Sequence, residues 1–273
     1  MTLDFAPLFS GSSGNAIYLR MDDTRILIDA GLSGSRVARE LERLNVEVGQ
    51  LDALLITHEH ADHVAGAGIL SRRHGLPIYA TAGTWQSLPS KFGAIDPAFR
   101  RVIEPGQNFY IGTIDVMPFA IPHDAAQPVG YAFEGRGAKV AVATDLGCLS
   151  EKWIEPLAGC DLLLLESNHD VDMLKAGRYP YELKRRILGA RGHLSNEDAG
   201  RAAVKLYALG VKHIILGHLS GENNFPELAW RTVADVLEAA GIRPGDDIGL
   251  DVARRDQLSG VYRLAVGEAA VVG

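Results

Sequence analysis

The sequence predicts an α/β fold of four layers, αββα: two sheets face to face with helices on their outer sides, in one domain spanning 1–273. Three observations predict it. Short apolar strands dominate the first and middle thirds, strand and helix alternate in the last third, and the helical segments are amphipathic, as helices lying on a sheet must be. Neither a repeat nor a low-complexity linker divides the 273 residues, a length ample for a large core.

From the N-terminus, "DFAPLF", "NAIYLRM" and "RILIDA" read as strands joined by a Gly/Ser turn and an Asp-Asp turn of the kind that closes hairpins. "SRVARELERLN" places Val37, Leu41 and Leu44 on one helical face with charges opposite. "LDALLIT" is a continuous apolar run suited to a strand buried on both faces, "HVAGAGILSRRHG" reads as a single helix ended by Gly75, and "PIYAT" as a short strand. Strands continue through "IDVMPFAIPHD", "VGYAFEG" and "AKVAVATD". The chain then alternates: "CDLLLLES" strand, "PYELKRRILGA" and "NEDAGRAAVKLYALG" helices, "KHIILGH" strand, "PELAWRTVADVLEAAG" helix.

Composition is that of a soluble globular protein, 47% hydrophobic and 22% charged. No secretory leader and no apolar run near the roughly 18 residues of a membrane span is visible, so a cytoplasmic protein is expected. Two cysteines, Cys148 and Cys160, are too few for a disulfide framework or a thiolate zinc site and read as buried, inert thiols. The net charge of −7 argues against a protein that coats itself in nucleic acid. It leaves room for a local basic track, and "KAGRYPYELKRRILGAR" supplies one with six basic residues against Glu182.

Only nine histidines occur in the chain, yet "THEHADHVAG" gathers three of them with an aspartate directly behind an apolar run. Four apolar runs stop at metal-competent side chains: "LLIT" at His58, His60, Asp62 and His63, "FAIP" at His123, "VAVAT" at Asp145, "IILG" at His218. A sheet holds its strand ends rigidly, so such loops can aim their side chains at one point. Seven candidate ligands, five nitrogen and two oxygen, exceed the needs of one tetrahedral ion and suit two with a solvent position left open. At ~100° per residue His58 and His60 would point about 200° apart on a helix, so the motif must be an irregular turn. It is not the helical His-Glu-X-X-His zinc signature, because Asp62 stands where the second histidine is required. Asp62 has a second reading, as the N-cap of the following helix.

"THEHADHVAG" resembles the His-X-His-X-Asp-His signature of the metallo-β-lactamase fold, and His123, Asp145 and the histidine of "LGHLS" follow in that family's order. The resemblance runs from "FSGSSGNA" to "HLSGENN". It implies that His58, His60 and His123 hold one ion, that Asp62, His63 and His218 hold the other, and that Asp145 bridges them. "SGSSGNA", "ESNHD", "YPYELKRRI", "GHLSN" and "HLSGENN" together resemble the YycJ/WalJ-like branch, regarded as 5′-to-3′ DNA exonucleases. Ribonuclease Z is a more distant relative of the same fold. From it, Glu166 and His193 take the part of a proton-handling pair, with Asp62 beside them in the catalytic set; His193 can also be read as a helix-start residue before a Ser195 cap.

The expected activity is that of a dinuclear phosphodiesterase, with two divalent ions (zinc, manganese or iron) sharing an activated hydroxide and with no organic cofactor. DNA is the expected partner, no membrane is, and the oligomeric state is open. Substrate contacts are assigned to Ser13, Asn15, Asn168, Arg178, Lys184, Arg185 and Asn223. For the basic track, the competing reading is a solvated helix face with its tyrosines packed inward; for "SGSSGN", a plain hairpin turn. The rival function is a small-molecule hydrolase of the same fold, cleaving a thioester, lactone or cyclic phosphodiester. A flavodiiron-like redox protein would want a carboxylate at His60 and a flavin domain, and a purely structural metal site would not leave an open position.

Overall fold

The computed structural model describes residues 2–265; Met1 and 266–273, the ends of the expected domain span, lie outside the described residues. One sheet contains β1 (Thr2–Gly11), β2 (Gly14–Met21), β3 (Thr24–Ile28), β4 (Ala53–Leu55), β5 (Ile78–Thr81), β6 (Arg100–Ile103) and β14 (Tyr262–Ala265), in the order β14-β1-β2-β3-β4-β5-β6. The other contains β7 (Phe109–Ile111), β8 (Ile114–Ala120), β9 (Val129–Gly135), β10 (Ala138–Ala143), β11 (Leu162–Glu166), β12 (His213–Gly217) and β13 (Gly249–Val252), in the order β13-β12-β11-β10-β9-β8-β7. Each sheet runs through antiparallel pairings, β14 to β3 and β7 to β10, and then parallel ones, β3 to β6 and β10 to β13.

Strand alternation builds the four layers. Ile26 and Ile28 of β3 meet Tyr131, Val140, Leu162 and Leu164 between the sheets, while Leu27, between them in sequence, turns outward. That outer face is covered by α1 (Gly34–Glu42), α2 (Ala61–Val64) and α3 (Ala67–His74), through Val37, Leu41, Val64 and Leu70. On the far side Leu163, Leu165, Ile214 and Leu216 pack against α8 (Asn196–Ala208) and α9 (Pro226–Ala239). α8 presents Ala199, Ala203 and Leu206, and α9 presents Val233 and Leu237, spacings that repeat with the helical turn. The shorter helices α4 (Ala82–Ser87), α5 (Glu151–Ile154), α6 (Val171–Ala176) and α7 (Tyr181–Ile187) sit on the connections. Among the described residues no helix is long and apolar enough to cross a membrane.

The single helix expected over "HVAGAGILSRRHG" is two. α2 ends at Val64 and α3 starts at Ala67, because the backbone at Gly66 passes the Leu32–Gly34 loop so closely that a Cβ would lie 2.3 Å from the Leu32 carbonyl oxygen. α3 does stop at Gly75, which has φ +65°. Strands β6, β7, β13 and β14 and helices α4 to α6 are too short to carry a readable period. Cys160 is buried and its thiol is pushed up to about 12 by burial, but Cys148 is only half-buried, not buried as expected.

Candidate metal centre

The C-terminal ends of β3, β4, β8, β10, β11 and β12 gather along one edge of the sandwich, and the predicted ligands meet there. His58 and His60 leave β4, and Asp62 and His63 lie in the first turn of α2. The N-cap of α2 is His60, so the capping role considered for Asp62 is not the one observed. His58 Nε2 and His123 Nε2 lie 3.1 and 3.2 Å from His60 Nδ1. Tetrahedral coordination with metal–nitrogen bonds of 2.0–2.1 Å would separate ligand nitrogens by about 3.3 Å. A second trio is nearly as tight: Asp62 Oδ2 is 3.5 Å from His63 Nε2 and 3.6 Å from His218 Nε2. Asp145 stands between the trios, with Oδ1 3.6 Å from His123 Nε2 and Oδ2 3.3 Å from His63 Nε2.

Outer hydrogen bonds fix which ring nitrogen faces inward. His63 Nδ1 donates to Asp29 Oδ2 at 2.7 Å, and His123 Nδ1 donates to the Gly192 carbonyl at 3.1 Å. Thr57 Oγ1 donates to Asp29 Oδ2 at 2.8 Å and so accepts from His58 Nδ1 at 3.0 Å. All three Nε2 atoms are left unprotonated and facing the site, the tautomer that metal ligation needs, with the Asn15 amide nitrogen 3.1 Å from that of His63. Burial and the neighbouring His63 lower the basicity of His58 well below the ordinary range, keeping its lone pair available. At His63 burial acts the same way, but the carboxylates of Asp145, Asp29 and Asp62 outweigh it and raise its affinity for positive charge.

Three buried polar atoms test whether ions belong here. Asp145 Oδ2 and both ring nitrogens of His218 have no hydrogen-bond partner among the described residues. Leaving such atoms unmatched is costly, about 1–3 kcal/mol each, and coordination of a cation would satisfy Asp145 Oδ2 and His218 Nε2, while His218 Nδ1 lies 3.2 Å from Glu166 Oε1. The donor set of imidazole and carboxylate without thiolate fits divalent ions, and the convergent groups of side chains include both predicted trios. The backbone is also committed: Asp29, Asp145 and His218 have φ of +58°, +62° and +55°, in the left-handed region that non-glycine residues enter at a cost.

Beside this centre His193 Nδ1 lies 2.8 Å from Glu166 Oε1, while Glu166 Oε2 accepts from the backbone N–H of Leu146 at 2.6 Å and of Leu194 at 3.1 Å. Burial opposes ionisation of Glu166, but His193 and His218 outweigh it and hold the carboxyl down at about 2. Burial likewise opposes a charged His193, and Glu166 with Asp145 overcomes it and raises the imidazole above its ordinary value. Ser195 does cap α8, as the alternative reading of this stretch required, yet His193 itself lines the cleft.

That cleft has a volume of about 350 Å³ and is walled by Ser12, Tyr179, Leu183, Arg186 and Ser220 around the histidines. Of the predicted substrate contacts, Asn168 reaches it, although its amide donates to the His218 carbonyl at 2.9 Å and so also holds that ligand loop. The others do not line it. Ser13 is exposed at the turn and Ser12 faces the cleft instead. Asn15 is buried, donating to the carbonyls of Gly11 and Asp62. Asn223 and Arg178 line a neighbouring hollow that shares Tyr179 with the cleft. Lys184 Nζ caps the carbonyls of Lys175 and Gly177, and Arg185 lies near the exposed Tyr181 ring and Glu182. Arg186 is the basic residue of the track that lines the cleft, held by Asp124 at 2.5 and 3.1 Å. Helical rotation of about 100° per residue separates it from its two basic neighbours, so a charge count could not tell them apart. Asp29 and Thr57 were missed because a lone aspartate after "RILI" reads as a turn; the parallel ending of "RILID" and "VAVATD" was the available signal.

Residues 24–219 match the β-lactamase superfamily domain. The chain belongs to this superfamily, in its metallo-β-lactamase fold, and is a metal-dependent hydrolase. Within it, the chain is 40% identical over 246 residues to exodeoxyribonuclease YycJ of Bacillus anthracis, covering 90% of this chain and 93% of that protein. It is 41% identical over 245 residues to exodeoxyribonuclease WalJ of Streptococcus pneumoniae, covering 89% and 91%. Among solved structures, the metallo-β-lactamase fold protein YhfI from Bacillus subtilis superposes with a TM-score of 0.72 at 18% identity, covering 96% of this chain and 100% of that one.

Proposed function

We propose that this chain is a 5′-to-3′ DNA exonuclease, working as one unit with two divalent ions, zinc or manganese in first place and iron as the further option. The observation that carries this reading is the pair of three-residue ligand sets joined by Asp145 and opening on a cleft beside His193. The relatives named as exodeoxyribonucleases direct the choice of substrate.

His58, His60 and His123 would hold one ion, Asp62, His63 and His218 the other, and Asp145 would contact both. When bound, such a pair would supply an activated water near neutral pH and would offset the charge that builds on phosphoryl oxygens. The protein's own groups do the rest. His193, kept protonated by Glu166, delivers a proton from Nε2 to the leaving oxygen, while the Nδ1 hydrogen bond fixes the plane of its ring. Glu166 is itself held by two backbone N–H groups and so cannot rotate away. Arg186 exchanges Asp124 for a phosphate oxygen of the substrate, a swap between two bidentate anionic partners.

The test is cleavage of double-stranded DNA carrying a labelled 5′ phosphate, with Mn²⁺ or Zn²⁺. Mononucleotides should be released from the labelled end by the wild-type protein, and Asp145→Ala should abolish release. Hydrolysis of a thioester, lactone or cyclic phosphodiester with DNA left intact would transfer the assignment to a small-molecule hydrolase, a reading the net charge of −7 favours.

A further inference from the structure

Ser220 lines the catalytic cleft and also a second hollow of about 420 Å³, so the two adjoin. The second hollow is walled by Gly221, Phe225, Arg254 and Arg255. Its loops are tied to the cleft rim: Ser12 N–H donates to the Leu219 carbonyl at 3.4 Å, and Ser10 N–H lies 3.2 and 3.3 Å from the carbonyls of Arg254 and Arg255. Arg255 is seated in a notch that two glycines leave open. A Cβ at Gly11 would lie 2.3 Å from Arg255 Cγ, and a Cβ at Gly221 would lie 2.2 Å from its Nη1. Asp256 also lines the hollow, but among the described residues no carboxylate lies within ion-pair distance of Arg254 or Arg255, unlike Arg186 in the cleft. Phe225 leaves 46% of its surface exposed at the same wall, and the N-terminus of the 14-residue helix α9 adds its partial positive charge there.

Two guanidinium groups without an ion-pair partner and an exposed phenyl ring, against one acidic wall residue and continuous with the proposed phosphodiesterase cleft, match the chemistry of a nucleotide strand, phosphate on arginine and base on an aromatic face. We propose that this hollow is a second substrate subsite, in which Arg255 grips a backbone phosphate and Phe225 stacks a base of the DNA strand one step along from the bond being cut. The inference rests on the nuclease reading of the adjoining site. It also accounts for Gly11 and Gly221, since a side chain at either would displace the guanidinium. A concave hollow of this size takes an unpaired strand, so DNA ends with a single-stranded segment are the class it selects.

The experiment measures binding of a fluorescent single-stranded oligonucleotide with a 5′ phosphate by anisotropy, across a salt series, in full-length protein chelated so that no cleavage interferes, and scores cleavage of the same oligonucleotide in parallel on protein loaded with Mn²⁺. Arg255→Gln should weaken binding by about tenfold and reduce the slope of log K against log salt by about one, and Arg255→Lys should restore most of both. Phe225→Ala should weaken binding several-fold with the slope unchanged, and melting curves of each variant establish that it is folded. Wild-type affinity and slope in both folded variants would overturn the subsite. Wild-type protein that binds and cleaves DNA while the variants bind equally well sinks the subsite alone. Binding that depends on Arg255 without any DNA cleavage sinks the nuclease reading and with it the substrate role of the hollow, leaving only an oligonucleotide-binding surface. Absence of both oligonucleotide binding and cleavage by the wild type sinks both.

Discussion

In the proposed acid role, His193 would owe its charge to one neighbour. Burial alone would make it a neutral imidazole, and Glu166 at 2.8 Å reverses that. Glu166→Gln removes the charge while keeping the shape, so the His193 pKa falls and the protonated fraction at neutral pH falls with it. The expected result is a loss of about a hundredfold or more in kcat/KM, with the alkaline limb of the pH profile moved to lower pH. An unmoved limb would separate His193 from the acid role. Asp29 works one layer further out, holding both Thr57 and His63. Asp29→Asn keeps the side chain's shape but weakens the donor strength of His63, and metal affinity should drop by about 10- to 100-fold in a chelator competition titration. Wild-type affinity in this variant would remove Asp29 from the account. The side chains that converge on the candidate centre were legible in the sequence, because imidazole is rare in this chain and sits where apolar runs stop. Their supports were not, since Asp29 and Asn15 act through contacts 34 and 48 residues away in the chain.

At the level of elements, the site depends on how closely loops pass one another. A Cβ at Gly31, just after β3, would lie 1.6 Å from the Asp62 carbonyl oxygen and 2.7 Å from the Asn15 amide nitrogen. Gly31→Ala therefore pushes the Asp62 loop away from β2. Overpacking of this kind costs about 1–3 kcal/mol, and the trio of Asp62, His63 and His218 should lose its ion before the His58, His60 and His123 trio does. Thermal melting together with metal titration reads both effects, and an unchanged melting point with full metal content would contradict the close approach. The same tightness explains what the sequence concealed. Hydrophobic period predicted α1, α8 and α9 and the long strands, but the break at Gly66 is imposed by the Leu32 loop, a tertiary contact that leaves the local pattern helical. The basic track misled for a related reason: α7 spends Lys184 on carbonyls of the preceding turn and turns Arg185 outward, leaving Arg186 to face the cleft.

For the molecule as a whole, charge buried at one edge of the sandwich couples stability to solution conditions. His169 is buried, and burial lowers its pKa to about 4. As pH falls from about 6.5 toward 4, the unfolded chain binds a proton that the folded chain refuses, so stability is lost on acidification, by up to about 3 kcal/mol. Urea unfolding of the metal-free protein at pH 7 and pH 4.5 should show this loss, and His169→Gln should lessen it; an equal loss in the variant would contradict the assignment. The four-layer order was readable from alternation and period, since both sheets bury one face on the other and cover the second with helices. The convergence of the ends of β4, β8, β10 and β12 was marked by their metal-competent side chains, but that β3 joins them through Asp29 was not, because it depends on register within the sheet.

The most direct test of the paired-ion site is the number of divalent ions bound per chain, measured by elemental analysis after saturation and removal of free metal. Two ions per wild-type chain, falling to one or none in Asp145→Asn with phosphodiester hydrolysis lost in parallel, is the predicted result. A single ion in the fully active wild type, or two retained without Asp145, would contradict it.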